Sequence, residues 1–84
     1  MIDIVEARHL GGYRLWLRFE DGVQGEIDLA ELIQFEGVFV ALRDPARVAE
    51  VSVHPELGCL HWPNGADLDP DVLYAKVSGK PIQV

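Results

Sequence analysis

The 84 residues carry seven Lys and Arg against fourteen Asp and Glu, a formal net charge of -7, with 49% hydrophobic residues and one cysteine. That field repels phosphate backbones, so direct nucleic-acid binding is not expected; it is compatible with electrostatic steering of a basic protein, but simple solubility is the plainer reading. One cysteine excludes an intramolecular disulfide, no apolar run approaches the roughly 20 residues of a bilayer span, and no charged-then-apolar leader opens the chain. A single cytoplasmic domain over residues 1–84 is expected, with no membrane association. A chain this short buries only about 60–65% of its unfolded surface, so a protein partner or self-association is an expected source of added stability.

The first element is a strand over Ile2–Arg8, stopped by Gly11-Gly12. A second, Tyr13–Phe19, alternates cleanly, with Tyr13, Leu15, Leu17 and Phe19 on one face and Arg14, Trp16 and Arg18 on the other. Glu20-Asp21-Gly22 turns the chain into a third strand, Val23–Leu29. The loop length follows from the faces. A two-residue turn would set Phe19, Leu17 and Leu15 against Gln24, Glu26 and Asp28, mixing apolar with charged. A three-residue loop with Gly22 left-handed pairs Phe19 with Val23, Leu17 with Gly25 and Leu15 with Ile27, and sets Arg18, Trp16 and Arg14 beside Gln24, Glu26 and Asp28. The three-residue loop is predicted.

Asp28 then caps a short helical turn, with Glu31 placed for a capping box. Gly37–Leu42 is apolar and reads as a further turn of helix. Asp44-Pro45 opens a brief helix through Ala49, proline sitting at its first helical position. A second hairpin, Glu50–His54 and Cys59–Trp62, flanks the four-residue loop Pro55-Glu56-Leu57-Gly58. Asp69-Pro70 repeats the capping device and starts a last helix to about Val77, with Val72, Leu73, Lys76 and Val77 as its partly apolar face. Gly79 stops it and Pro81 reinforces the break. The predicted fold is α+β: an antiparallel three-stranded meander, a second β-hairpin, short helices, and a C-terminal helix packed on the sheet.

Three places carry candidate chemistry. Asp67, Asp69 and Asp71 have the alternation that opens a calcium loop, but Val72 and Ser78 stand where glycine and glutamate are needed, and Pro70 stiffens the middle. Asp69 is better read as the helix cap, Asp71 as a first-turn acid facing the helix dipole, and Asp67 as part of an Asn64-Gly65 turn. A small hydrolase built on aspartates around Asp67 is a further reading. In the second hairpin a four-residue loop pairs His54 with Cys59, Ser52 with His61, Val53 with Leu60 and Val51 with Trp62. His54, Cys59 and His61 then share one face, a donor set suited to zinc or copper with no fourth ligand placed. The alternative is a mixed face half covered by a helix around a buried thiol, and a Cys59–His61 nucleophile lacks an orienting third group. Finally, Arg14, Trp16 and Arg18 form a candidate partner-contact surface, since Trp and Arg dominate binding hot spots. The competing reading covers Trp16 with the last helix and pairs the arginines with Glu26 and Asp28. No cofactor is expected, and no nucleophile elbow, phosphate loop or dinucleotide fingerprint is present.

Tyr13-Arg14-Leu15-Trp16-Leu17 with Asp21-Gly22, Leu42-Arg43-Asp44-Pro45, Pro55-Glu56-Leu57-Gly58 and Trp62-Pro63-Asn64-Gly65-Ala66-Asp67-Leu68 resemble domain-of-unknown-function family 2442, a group of small bacterial proteins, over about Ile2 to Tyr74. The resemblance implies an α+β domain and no assigned activity. It also implies a small partner protein encoded nearby, in an antitoxin-like pair. Some relatives carry a helix-turn-helix domain after this one; it is not within these 84 residues, so no direct action on DNA is expected of them. The leading expectation is a non-enzymatic protein-interaction domain; a metal- or ligand-binding module using His54, Cys59 and His61 is the alternative.

Overall fold

Alternation of apolar and charged side chains in the first three strands determines the architecture. In the computed structural model, which describes residues 2–79, β1 (Ile4–Gly11), β2 (Arg14–Phe19) and β3 (Gln24–Asp28) form an antiparallel sheet in the order β1-β2-β3. The β2–β3 register is the predicted one: Leu15 lies opposite Ile27, Leu17 opposite Gly25, Trp16 opposite Glu26 and Arg14 opposite Asp28. The loop closes with Phe19 N–H donating to the Val23 carbonyl at 2.8 Å, while the Asp21 carboxylate accepts from Val23 N–H at 3.0 Å and Gly22 takes φ 91°. Leu15, Leu17 and Phe19 are fully buried on the inner face. β1 runs to Gly11 rather than stopping at Arg8, because Gly11 still pairs with Arg14 and the two-residue link is Gly12-Tyr13, with both glycines at positive φ. The pairing of β1 with β2 shifts between Ile4 and Glu6 and again between His9 and Gly11.

Asp28 caps α1 (Leu29–Leu32) by accepting from Ala30 N–H at 2.9 Å. Glu31 does not complete a capping box; its carboxylate lies 3.6 Å from Lys76. Gly37–Arg43 is a 3-10 helix, with Leu42 buried and Val38 and Val40 turned outward. Asp44 caps α2 (Pro45–Val48) through Ala46 N–H at 3.0 Å.

The second sheet holds one more strand than predicted. β4 (Ser52–Val53), β5 (Leu60–His61) and β6 (Asp67–Leu68) are ordered β4-β5-β6. The four-residue loop gives the predicted pairs, Ser52 with His61 and Val53 with Leu60, and His54 N–H donates to the Cys59 carbonyl at 2.8 Å. β4 is shorter than Glu50–His54 because Glu50 and Val51 N–H donate back to the Arg47 and Val48 carbonyls, both at 3.1 Å, prolonging the turn of α2. β5 and β6 are joined by a copy of the β2–β3 loop: Trp62 N–H donates to the Ala66 carbonyl at 2.9 Å, Asn64 Oδ1 accepts from Ala66 N–H at 3.1 Å, and Gly65 takes φ 92°. Asp67 is therefore a strand residue opposite His61, not a member of the turn.

α3 (Pro70–Ser78) starts at the Asp69 cap, which accepts from Asp71 N–H at 2.8 Å, and stops at left-handed Gly79. Pro81 lies outside the described residues. The helix packs on the inner face of the first sheet, with Leu73 buried, Tyr74 edge-on to Phe19 at 5.0 Å, and Val77 over Gly25. A Cβ at Gly25 would stand 3.0 Å from Val77 Cγ1, so the glycine permits the close approach. Val72, expected on the packed face, is 45% exposed; Tyr74 takes that role. The two sheets meet where Ile4 N–H donates to the Gly58 carbonyl at 2.9 Å, and Trp62 Nε1–H donates to the Val48 carbonyl at 3.2 Å inside the shared core.

Candidate functional site

The outer face of the first sheet is opposite the one α3 covers. Trp16 sits half-buried in its middle strand, so the reading that placed Trp16 under the last helix is corrected: the inward phase belongs to Leu15, Leu17 and Phe19, and a helix can cover only one face. Arg14 pairs with Glu26, its diagonal neighbour, at 2.6 Å and not with Asp28, which lies opposite it. Asp28 does not serve an arginine, because its carboxylate caps α1. Arg18 turns the other way, to Glu6 of β1 at 3.1 Å, and Glu6 also holds Arg8 at 2.7 Å. The Arg8 guanidinium carbon lies 5.6 Å from the Trp16 ring centroid, a cation–π approach. Glu6 and Arg8 were not among the candidate contacts. Their part in this face depends on the shift at Val5, which resets the phase of β1 and is not written in any residue type.

Two guanidiniums hold the Glu6 carboxyl below its ordinary range, the Arg8 hydrogen bond being the larger cause and the Arg18 hydrogen bond the next. A carboxylate with a lowered folded-state pKa stabilises the fold above its unfolded value near 4.5 and loses that contribution as pH falls through the lower folded value. The melting temperature of the native chain is therefore expected to exceed that of Glu6→Gln at neutral pH, with the gap closing below about pH 4. A gap unchanged down to pH 2 would contradict this pairing.

The structure brings the His54 and His61 rings together, 5.2 Å between centroids and edge-on. His54 Nδ1 is already engaged, accepting from Glu56 N–H at 3.2 Å and Leu57 N–H at 3.1 Å, so this imidazole closes its own hairpin loop. Cys59 is buried beside a cleft of about 250 Å³ lined by Leu57, Asp67 and Asp69. Burial pushes its thiol up, and the Asp67 and Asp69 carboxylates push the same way, opposite to what a ligand or nucleophile thiolate needs. Among the described residues no group of three or more His, Cys, Asp or Glu is arranged to hold a metal ion. Asp67 and Asp69 both line this cleft, but Asp69 Oδ1 is committed to capping α3 and Asp71 is not among the lining residues, so the three alternate aspartates do not converge. A second cleft, about 260 Å³, lies between the 3-10 helix, α2 and the β5–β6 turn, with the Arg47–Glu50 ion pair (2.9 Å) on its rim. No helix among the described residues is long and apolar enough to cross a membrane.

Two antiparallel three-stranded sheets with short helices and a C-terminal helix define a small α+β domain. The chain belongs to the family described as Protein of unknown function (DUF2442), whose model matches residues 4–79. No curated protein and no solved structure matches it.

Proposed function

We propose that this chain is a non-enzymatic protein-interaction domain that docks a protein partner through the outer face of its first sheet, as the acidic, antitoxin-like member of a pair. The observation that carries the reading is Trp16, half-buried at the centre of a face that no other described element covers and bordered by Arg8, Arg14 and Arg18. Tryptophan and arginine supply most hot-spot energy in interfaces. The exposed ion pairs around it contribute little to folding, so stability alone gives little reason for the arrangement. The net charge of -7 favours encounter with a basic protein, whose cations would meet acids outside the face while its contact residues seat on Trp16.

Affinity capture with the tagged chain from its host is expected to recover one small basic protein stoichiometrically. Trp16→Ala should weaken that complex by at least about tenfold while leaving the melting temperature of the free chain within a few degrees. Recovery of the chain alone, or a complex indifferent to Trp16→Ala, would refute the reading.

A further inference from the structure

We propose that two copies of this chain pair antiparallel through β1, about a two-fold axis at Ala7, joining their first sheets into one continuous sheet. The phase of the ladder shows which groups point away from β2; β4 packs against β1 without forming a ladder with it. Phe19 N–H bonds to Val23 and Leu29 N–H to Tyr13, so the odd residues of β2 serve β3 and the even residues, Arg14, Trp16 and Arg18, serve β1. Their partners Glu6 and Arg8 therefore point their backbone groups inward. Ala7 and His9 point theirs away from the sheet, and no backbone hydrogen bond among the described residues reaches them on that side. Ile4, moved out of phase by the shift at Val5, confirms the direction: its N–H turns outward and donates to the Gly58 carbonyl at 2.9 Å.

Charge selects the edge and the register. With Ala7 opposite Ala7 of a second copy, Glu6 of each chain lies across from Arg8 of the other, twice over. Shifting the centre to Glu6 or to Arg8 sets like charges against each other. The other edge, β3, has no such solution: centred on Glu26 it opposes two carboxylates, and centred on Ile27 it brings Glu26 beside Asp28. Exposed apolar side chains gather at the same place. Val5 (44% exposed) and Leu10 (48%) are on β1, and Leu57 (61%) is in the loop whose Gly58 carbonyl holds Ile4. The register directs Leu10 of each copy toward the other's Leu57 loop. The two pairing shifts confine the regular edge to Glu6–His9, and a two-fold pairing uses the β1 edge of both chains, so the assembly closes as a dimer instead of growing. Both Trp16 side chains lie on the same face of the joined sheet.

Sedimentation equilibrium of the purified chain, which needs no partner, separates this inference from the docking role of Trp16. The expected weight-average mass rises with concentration from one 9.4 kDa chain toward twice that, and the Ala7 and His9 amides gain exchange protection over the same range. Ala7→Pro removes an edge N–H that the ladder to β2 does not use, and Arg8→Glu opposes two carboxylates at each end of the seam. Both variants are expected to remain monomeric with an unchanged circular-dichroism spectrum, while Glu26→Arg on the far edge leaves dimerisation intact. If Ala7→Pro fails to fold, Arg8→Glu decides alone. A native chain that stays monomeric at millimolar concentration, or a dimer that survives either seam variant, overturns the proposal.

Discussion

Phe19→Ala is expected to destabilise the fold by about 3–5 kcal/mol, the usual range for emptying a fully buried aromatic site. Phe19 is fully buried, closes the β2–β3 loop through its backbone, and meets Tyr74 of α3 edge-on at 5.0 Å. Truncation therefore removes the contact by which the sheet holds the C-terminal helix. Small domains have total stabilities of roughly 5–15 kcal/mol, and one this short belongs at the low end, so the variant should be largely unfolded near body temperature. Urea denaturation followed by circular dichroism reads the loss directly. Val38→Ala, at an exposed position, should stay within about 0.5 kcal/mol. A Phe19→Ala loss below about 1 kcal/mol would mean that α3 is not held on the sheet at this place.

The second large effect is expected at Gly58. It takes φ 64°, and a Cβ there would overlap the Asp3 side chain. Any other residue thus meets left-handed strain of about 1–2 kcal/mol and must also displace Asp3, whose carbonyl accepts Glu20 N–H at 2.9 Å. Because the Gly58 carbonyl itself receives Ile4 N–H, the movement would open the junction of the two sheets. Gly58→Ala should therefore lose more than about 2 kcal/mol in thermal or urea unfolding. Gly12→Ala is the matched control: it shares a left-handed backbone, at φ 54°, but has open space around its Cβ, so only the strain of about 1 kcal/mol is expected there. Equal losses at the two glycines would show that the overlap with Asp3 has no energetic weight.

What could be read in the residues follows their chemistry closely. The β2–β3 register was legible because one slip would have put Gln24, Glu26 and Asp28 against Leu15, Leu17 and Phe19, and only a three-residue loop avoids that. The caps at Asp28, Asp44 and Asp69 were legible because short acceptors before a helix satisfy N–H groups that nothing else can reach. β6 was not. Pro63-Asn64-Gly65 encodes the same loop as Glu20-Asp21-Gly22, yet the strand it feeds is two residues long and starts with an aspartate, too short for alternation to show. The face occupied by α3 was equally silent. Trp16 and Leu17 are both large and apolar, and the choice between them rests on tertiary packing of Val77 over Gly25, where only the absence of a side chain leaves room. His54 illustrates a further limit: its position opposite Cys59 was predictable, but its engagement by the Glu56 and Leu57 N–H groups depends on how the 55–58 loop folds back over the ring, which no residue type announces.

Docking on the outer face makes Trp16 the side chain that changes environment when the partner binds. The chain has two tryptophans, and Trp62 is buried at 3% exposure while Trp16 is half-buried, so acrylamide should quench one class of emission in the free protein and leave the other nearly untouched. In the complex recovered by affinity capture, the accessible class is expected to disappear, with quenching of Trp16 falling to the level of Trp62. Unchanged quenching of Trp16 in a stoichiometric complex would contradict docking on this face.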